Sequence, residues 1–342
     1  MDRFAALTRW VVDELGYSRA DLRPASSDAS FRRYFRFHDR GIGYIVMDAP
    51  TDKEDIRPYI HVAELMLAIG LHVPEILARN PGQGFLLLSD LGTSDYLSRL
   101  TGESVNGLYG DALEALMRLQ LQGAASAGEL PDYDEALLQR EMRLFPEWYL
   151  GTHLGITPDA NSTAVLEQTF ALLCRSALEQ PRVFVHRDYH SRNLMVTPEN
   201  NPGILDFQDA VHGPVTYDLV SLLRDCYVAW PREQVERWVM DYLGQMHRRQ
   251  YLRDCDEQQF LRWFDLMGVQ RHLKAIGIFA RLNHRDGKPG YLKDIPRTLG
   301  YVIEVCSRYP ELAAFREFLA AQVRPRLGVP DTTRRSSSTG MS

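Results

Sequence analysis

A polar run that lies between apolar runs constrains the fold of this chain more than any other feature. Residues 183–196 read VFVHRDYHSRNLMV, and residues 203–210 read GILDFQDA. The runs VFV, NLMV and GILDF are short and apolar, which predicts strands, and TPENNPG before the last of them predicts a hairpin turn. The hairpin would bring the loop HRDYHSRN and Asp206 to one edge of a rigid ribbon, where catalytic groups are often held.

The remaining periodicity divides the 342 residues into a strand-rich front and a helix-rich back that meet near residues 90–93. In FRRYFRF at 31–37, alternate residues share one face of a strand, and a turn and YIVMDAP complete a hairpin. Residues 54–70 carry an apolar helical stripe, and PEIL and GFLLLSD predict two more strands. Further helices are predicted over residues 107–122, 134–150, 162–180, 216–229, 232–249, 257–284 and 294–323. A length of about two typical domains predicts two lobes.

Composition excludes several classes of protein. The formal net charge is −6, so no overall positive field would hold a nucleic acid. The four cysteines form no CxxC pair, which argues against a disulfide framework or a zinc site and favours a reducing compartment. MDRFAALTRWVVDELGY has the spacing of an amphipathic helix, and no stretch is long enough to span a membrane. We therefore expect a cytoplasmic protein with no nucleic-acid partner, no membrane attachment and no obligate protein partner.

The polar residues of the hairpin fit the chemistry of a metal-assisted transfer. Asp206 and Asn193 offer a carboxylate and an amide oxygen, hard ligands that suit Mg²⁺ and suit zinc poorly. Asp188, five residues before Asn193, is placed to accept a proton from a hydroxyl group. The spacing H-R-D-x-x-x-x-N is that of a kinase catalytic loop, and Asp206-Phe207-Gln208 stands where a kinase carries D-F-G.

With these motifs, the sequence resembles the kinase-like phosphotransferases of small molecules, the aminoglycoside phosphotransferase group, over about residues 20–325. The resemblance implies an α+β, bilobal, protein-kinase-like fold with ATP between a small β-rich lobe and a large helical lobe. The expected divisions are a nucleotide-binding lobe at 1–91, a catalytic and sugar-binding lobe at 92–330, and a disordered tail at 331–342.

Within this group, several runs are similar to the sugar kinases of cell-wall recycling. Those enzymes phosphorylate the anomeric hydroxyl of N-acetylmuramate and N-acetylglucosamine. The similar runs are SSDASFRRYFRF, VMDAP, FLLLSDLG, LFPEWY, LDFQDAVHGPVTYDL and DLMGVQRHLKAIGIFARLNHRDGKPGYL. The resemblance implies a small amino sugar as substrate, ATP as phosphate donor and Mg²⁺ as cofactor.

The resemblance assigns roles to residues of the catalytic loop. Asp188 is expected to be the catalytic base, with Asn193 and Asp206 as magnesium ligands. Arg192, and with it His190, is a candidate cation for the transferring phosphate, although a solvated loop position fits each equally well. Two further segments, SSDAS in the place of the Gly-rich loop and the strand end at the lobe boundary, are expected to meet the nucleotide. Their predicted contact residues, together with one arginine of the first hairpin, are Ser27, Ser30, Arg33, Ser89, Asp90 and Leu91. 

Asp218 has two interpretations, because in the family an aspartate at this place braces the catalytic loop, whereas the sequence alone also fits a helix N-cap.

One position departs from the kinase pattern. Kinases carry a lysine on the second strand of the hairpin, paired with a glutamate of the next helix, and this chain has Met47 there although Glu64 is present. Either Arg32 or Arg33 supplies the missing charge, or Mg²⁺ and Glu64 act differently. An inactive, nucleotide-binding pseudokinase scaffold is the alternative outside enzymes.

The acceptor is expected to be small. Only QDAVHGPVT separates Asp206-Phe207 from Tyr217, and no A-P-E element follows, so there is little room for a peptide platform. The run 270–288 is basic in an acidic chain, and an arginine there would suit a lactyl carboxylate. Another small alcohol, an aminoglycoside or choline, is the alternative acceptor. Candidate contacts are Gln208, Asp209, Arg271 and His284, followed by Trp148, Tyr149, His272, Arg281 and Arg285.

Overall fold

The computed structural model describes residues 2–18, 20–26 and 31–327, so the tail predicted at 331–342 lies outside the described residues. The chain forms two compact units. Unit 1 comprises Met1–Glu135 and Ala177–Met267, and unit 2 comprises Ala136–Ser176 and Gly268–Ser342. Unit 1 contains the strands together with several helices, and the described part of unit 2 is helical. The lobe boundary expected at residues 91–92 stays a prediction.

A five-stranded antiparallel sheet occupies the first part of unit 1, with the strand order β1-β2-β3-β5-β4. Its strands are β1 (Arg23–Ser26), β2 (Arg33–Asp39), β3 (Ile42–Asp48), β4 (Ile76–Asn80) and β5 (Phe85–Ser89). In the β2–β3 hairpin, Tyr34 lies opposite Met47 and Phe35 lies opposite Val46. Because side chains alternate across a strand, these two pairs face opposite sides of the sheet.

The N-terminal segment covers one face of this sheet. Helix α1 (Arg3–Arg9) continues into a π-helical turn, Trp10–Glu14, and its buried side chains Leu7, Trp10 and Val11 pack against apolar residues of β2, β3 and β5. The predicted amphipathic helix is therefore confirmed. The predicted alternation over residues 31–37 is wrong at its first residue, because Phe31 precedes β2 and is 64% exposed.

Helices form most of the remaining chain. They are α2 (Arg57–Ala68), α3 (Tyr96–Arg99), α4 (Val105–Gln122), α5 (Glu135–Met142), α6 (Ala160–Leu178), α7 (Tyr217–Leu223), α8 (Arg232–Arg248), α9 (Glu257–His284), α10 (Ile295–Cys306) and α11 (Ala313–Phe318). The helix predicted at 134–150 is divided into α5 and a π-helical segment, Phe145–His153, near Pro146. The helix predicted at 294–323 is interrupted before Pro310, which has no N–H to donate.

Two short ribbons follow α6 and organise the polar loop. Strand β6 (Arg182–Val185) pairs antiparallel with β9 (Val211–Pro214), and β7 (Leu194–Met195) pairs with β8 (Gly203–Ile204). The β7–β8 pair confirms the predicted hairpin, whereas β9 was not predicted, because VHGP contains glycine and proline and is a poor strand sequence. The loop between β6 and β7 is thus fixed at both ends.

None of the helices in the described ranges is long and apolar enough to cross a membrane. The four cysteines of the chain are all buried.

Close packing in unit 2 generates a stability prediction. A Cβ atom on Gly277, in α9, would lie 2.4 Å from the carbonyl carbon of Leu144 and 2.5 Å from its oxygen. We expect Gly277→Ala to lower the free energy of unfolding by about 1–3 kcal/mol, because backbone atoms cannot yield to the added methyl group. Gly300, in α10, has no atom within 4 Å of its Cβ position. As the matched control, Gly300→Ala should raise stability by about 0.5–1 kcal/mol. Equal shifts of the two variants in urea denaturation would contradict this close contact.

Candidate active site

The loop between β6 and β7 is held by a buried carboxylate. Asp218, in the first turn of α7, accepts hydrogen bonds from the backbone N–H groups of His186 at 2.6 Å and Arg187 at 3.0 Å. The residue before α7 is Thr216, which makes no side-chain capping bond. Of the two interpretations of Asp218, the structure therefore supports the one in which it braces this loop. Bonds to a buried ionised acceptor are among the stronger hydrogen bonds in proteins.

Two residues of this region adopt left-handed backbone conformations. The φ angle is +77° at Arg187 and +64° at Asp206, and neither is glycine. Such conformations cost of order 1–3 kcal/mol and cluster at functional sites. The bond from the N–H of Arg187 to Asp218 helps to hold the first of them in place.

A second buried carboxylate braces the middle of the same loop. One oxygen of Asp225, Oδ2, accepts from Ser191 N–H at 2.9 Å and from Ser191 Oγ at 2.5 Å, and its other oxygen accepts from Tyr227 N–H at 2.8 Å. Asp225 was not among the residues predicted for the site, although an aspartate within the apolar run LVSLLRDCYVAW is a signal. Because this carboxylate ties the segment after Leu223 to the loop, α7 is shorter than the predicted helix at 216–229.

The predicted metal ligands meet beside the backbone of the predicted base. Asn193 Nδ2 donates to the carbonyl oxygen of Asp188 at 3.0 Å and to Asp206 Oδ2 at 3.3 Å. Gln208 Nε2 donates to Asp206 Oδ1 at 2.9 Å and lies 3.5 Å from Asp209 Oδ2. The structure therefore brings together five residues predicted from the sequence, and we call them the acidic group: Asp188, Asn193, Asp206, Gln208 and Asp209.

The acidic group fits a magnesium ion better than a closed metal site. Within residues 2–18, 20–26 and 31–327, no set of three His, Cys, Asp or Glu side chains is arranged to hold a metal. Mg²⁺ is commonly bound through one or two protein oxygens, with water and substrate phosphates completing its shell. Asp206 and Asn193 offer such oxygens, and the hydrogen bonds named above engage the Nδ2 atom of Asn193 and leave its Oδ1 for a cation.

His186 is a neutral part of the loop. Burial lowers the pKa of its imidazole from 6.5 to about 4, while the charge of Asp188 opposes that shift. Its Nδ1 atom lies 3.2 Å from the N–H of Asp188 and accepts from it. A neutral ring with Nδ1 as acceptor orients the backbone of the predicted base.

The two arginines of the loop lie on aromatic rings. Arg192 is 4.8 Å from the ring centroid of Tyr227, and the ring of His190 meets the same tyrosine edge-on at 5.4 Å. Arg187 lies 6.0 Å from the ring of Tyr133 and donates to the carbonyl oxygen of Asp209 at 3.2 Å. Tyr227 thus orients the 190–192 part of the loop, a role that the sequence did not indicate.

The predicted nucleotide contacts have varied surroundings. Ser27 and Ser30 lie outside the described residues. Arg33 forms an ion pair with the buried carboxylate of Asp48, in which its Nε and Nη2 atoms both donate to Oδ2. Arg3 contacts the other oxygen, Oδ1. The structure therefore places the Arg33 guanidinium against β3, away from the acidic group.

The segment after β5 is fixed by its side chains. Asp90 accepts from Arg36 Nε at 2.6 Å and from Arg36 Nη2 at 2.9 Å, and Arg36 also donates to the carbonyl oxygen of Gly92. Ser89 exchanges hydrogen bonds with the backbone of Glu75. Leu91 packs so closely on Gly203 that a Cβ there would lie 2.9 Å from Leu91 Cδ1. With these side chains engaged, the backbone of residues 89–91 is what can meet a planar base.

The remaining substrate candidates belong to unit 2. Arg271 is buried in α9, and His284 Nε2, at the end of α9, lies 3.0 Å from His153 Nδ1. The ring of His153 stacks on Tyr149 at 5.7 Å. Burial lowers the pKa of Arg281. Of the four main substrate candidates, Gln208 and Asp209 belong to the acidic group, and Arg271 and His284 do not.

The two braces generate a prediction about loop order. Asp218→Asn and Asp225→Asn should each lower the free energy of unfolding by about 1–3 kcal/mol, because the buried N–H donors lose an ionised acceptor. Amide hydrogen exchange of residues 186–188 should accelerate in the first variant and that of residues 190–192 in the second. Asp241→Asn, at an exposed position of α8, is the control and should change neither quantity. Uniform acceleration across unit 1 in both variants would contradict separate braces.

The sequence matches a family model and several known proteins. A model of the phosphotransferase enzyme family matches residues 21–255. The chain is 52% identical over 302 residues to an N-acetylmuramate/N-acetylglucosamine kinase of Pseudomonas aeruginosa, covering 88% of each chain. It is 47% identical over 328 residues to a protein of the same name from Pseudomonas putida, covering 93% of this chain and 96% of that one.

Solved structures agree in fold at low sequence identity. An ADP-bound aminoglycoside phosphotransferase matches with a TM-score of 0.59 and 14% identity, covering 89% of this chain and 99% of its own. A choline kinase from Streptococcus pneumoniae matches with a TM-score of 0.60 and 12% identity, covering 88% of this chain and 99% of its own. They confirm the predicted α+β, protein-kinase-like fold. Together with the family model, which spans most of the sequence, these matches show that the chain belongs to the phosphotransferase enzyme family.

Proposed function

We propose that this enzyme is an ATP-dependent kinase that phosphorylates the anomeric (C1) hydroxyl of N-acetylmuramate and N-acetylglucosamine in cell-wall recycling. The observation that carries the transferase part is the bond pattern of Asn193, which joins the backbone of Asp188 to the carboxylate of Asp206. The names of relatives 42–52% identical to this chain support the choice of acceptor.

Asp188 is the proposed catalytic base. As the sugar oxygen forms its bond to the γ-phosphorus of ATP, the bond from that phosphorus to the β–γ bridging oxygen breaks and ADP leaves. The proton of the sugar hydroxyl passes to the Asp188 carboxylate. The protein contributes mainly position, because the backbone on either side of Asp188 is fixed by Asp218, by His186 and by Asn193.

Asn193 and Asp206 are the proposed ligands of Mg²⁺, which would neutralise charge on the phosphate oxygens when bound. Gln208 holds one oxygen of Asp206, and so orients that carboxylate. Arg192, on the ring of Tyr227, stays a proposed cation for the transferring phosphate.

The nucleotide would lie over the backbone of Ser89, Asp90 and Leu91, with Ser27 and Ser30 in the proposed phosphate loop. A contact of Arg33 with the nucleotide stays a prediction, and the ion pair of Arg33 with Asp48 does not favour that contact. For the sugar, the proposed contacts stay those of the sequence: Gln208, Asp209, Arg271 and His284. A lactyl carboxylate would suit Arg271, since carboxylates bind guanidinium groups through two hydrogen bonds. We place the enzyme in the cytoplasm, in keeping with four cysteines that lie far apart in the sequence and form no CxxC pair.

An acceptor panel tests the proposal. When the enzyme is incubated with Mg²⁺ and ATP, adding N-acetylmuramate or N-acetylglucosamine should lead to the formation of ADP. Adding choline or kanamycin should not. The products should no longer react as reducing sugars, because a phosphate on C1 blocks ring opening. Turnover of choline or kanamycin alone would contradict the amino-sugar assignment, and a product that keeps its reducing end would contradict the C1 position.

A substitution tests the catalytic base. Asp188→Asn should lower kcat by roughly 10²–10⁴-fold, because the amide cannot accept the hydroxyl proton. Its affinity for ATP should change little. Asp254→Asn, an exposed aspartate of unit 1, is the control and should keep full kcat. Asp188→Asn with unchanged kcat would show that another group takes the proton.

A further inference from the structure

The two arginines that open the β2 region lie on opposite faces of the sheet. Arg33 pairs in register with Asp48 and binds its carboxylate, on the face that α1 covers. Arg32 is the preceding residue, and Tyr34, two positions on, lies opposite Met47 on the other face. Met47 is fully buried and occupies the position where kinases carry the phosphate-binding lysine.

Arg32 is a nearly buried cation among acids. Its side chain is 11% exposed and forms an ion pair with Glu54 Oε2 at 3.9 Å. Burial acts to lower its pKa, but Tyr34 and the carboxylates of Asp206, Glu54 and Asp209 raise the pKa above its ordinary value. Two members of the acidic group therefore lie within electrostatic reach of this guanidinium.

Glu54 holds the segment that carries this arginine. Its Oε1 atom accepts from the backbone N–H of Phe31 at 3.3 Å, while Oε2 faces the side chain of Arg32. Glu64, the helix glutamate that would pair with a strand lysine, instead lies 3.4 Å from Arg79, where both side chains are more than half exposed. The carboxylate that pairs with Arg32 is therefore that of Glu54, which precedes α2 and does not lie within it.

An aromatic contact joins this region to the acidic group. Tyr59 of α2 packs on Phe207, the residue after Asp206, with ring centroids 4.7 Å apart. The pKa of Tyr59 is raised, chiefly by burial, and its charged neighbours include Arg32 and Asp206. Arg32, Tyr59 and Asp206 are thus mutual neighbours within unit 1.

We propose that Arg32 takes the place of the missing strand lysine and binds the β- and γ-phosphates of ATP, and that Glu54 positions it. This inference rests on the proposed ATP-dependent function. A guanidinium is always charged and presents a planar fork to two phosphate oxygens, so one arginine meets the electrostatic requirement of the lysine. In the presence of a triphosphate, the phosphate oxygens would join the carboxylates around Arg32.

Nucleotides of different phosphate length test this assignment. Arg32→Gln should weaken Mg²⁺-ATP binding by roughly 10- to 100-fold, because charge-assisted hydrogen bonds are lost. Binding of AMP, which has no β- or γ-phosphate, should change by less than about twofold. Arg32→Lys should recover part of the ATP affinity, and Glu54→Gln should show a smaller, equally ATP-selective loss. Calorimetry measures binding, and the melting temperature of each variant checks folding.

Two further variants sharpen the result. Arg57→Gln, an exposed arginine of α2 paired with Asp55, should leave both affinities unchanged. Arg33→Gln compares the rival arginine directly. If Arg33→Gln selectively weakens ATP and Arg32→Gln does not, or if Arg32→Gln weakens ATP and AMP equally, the assignment is wrong. If Arg32→Gln does not fold, the selectivity of Arg32→Lys and Glu54→Gln decides in the same way.

The binding measurements also separate this inference from the proposed function. They need no sugar, so a protein that binds ATP through Arg32 but phosphorylates neither amino sugar contradicts the proposed acceptor and supports the role of Arg32. Conversely, the outcome can be that the enzyme phosphorylates the sugars while Arg32→Gln, Arg32→Lys and Glu54→Gln all keep the ATP affinity of the unmodified protein. That result overturns the role of Arg32 and leaves the proposed function intact.

Discussion

The loop between β6 and β7 depends on buried carboxylates that accept its backbone N–H groups. The segment between β6 and β7 has no regular secondary structure, so its N–H groups have no partners from a helix or a sheet ladder. Asp218 and Asp225 supply these partners at three backbone positions, and in return the donors offset the cost of burying the two charges. A polar segment of this kind is thereby held with the precision of a rigid element.

This arrangement explains why the functional side chains can be few. Two hydrogen bonds of Asn193 join the backbone of Asp188 to the carboxylate of Asp206, and the ribbons β6–β9 and β7–β8 fix the backbone on either side. The left-handed conformation of Asp206 occurs where the chain leaves β8. It redirects the carboxylate at a strand end, at a local cost that the surrounding bonds offset.

The N-terminal sheet separates two positive charges by the alternation of one strand. Arg33 stabilises the sheet through Asp48, together with Arg3 from α1, whereas Arg32 pairs with Glu54 and lies within electrostatic reach of Asp206 and Asp209. Neighbouring residues of identical type thus have different surroundings because successive side chains point to opposite faces. With Met47 at the place of the kinase lysine, the face that carries Met47 is apolar at that position and charged at Arg32.

The sequence alone predicts four strands of the N-terminal sheet, most of the helices, the β7–β8 hairpin and the residues of the acidic group. These features follow from short-range periodicity and from motif spacing, which need no knowledge of distant contacts. It did not determine strand β9, the bond from Asp225 to Ser191, or the pairing of Arg32 with Glu54. Each of these joins residues more than twenty positions apart, or forms only when a partner segment is in place. Such contacts depend on how distant segments pack, because packing selects among the partners that local sequence allows.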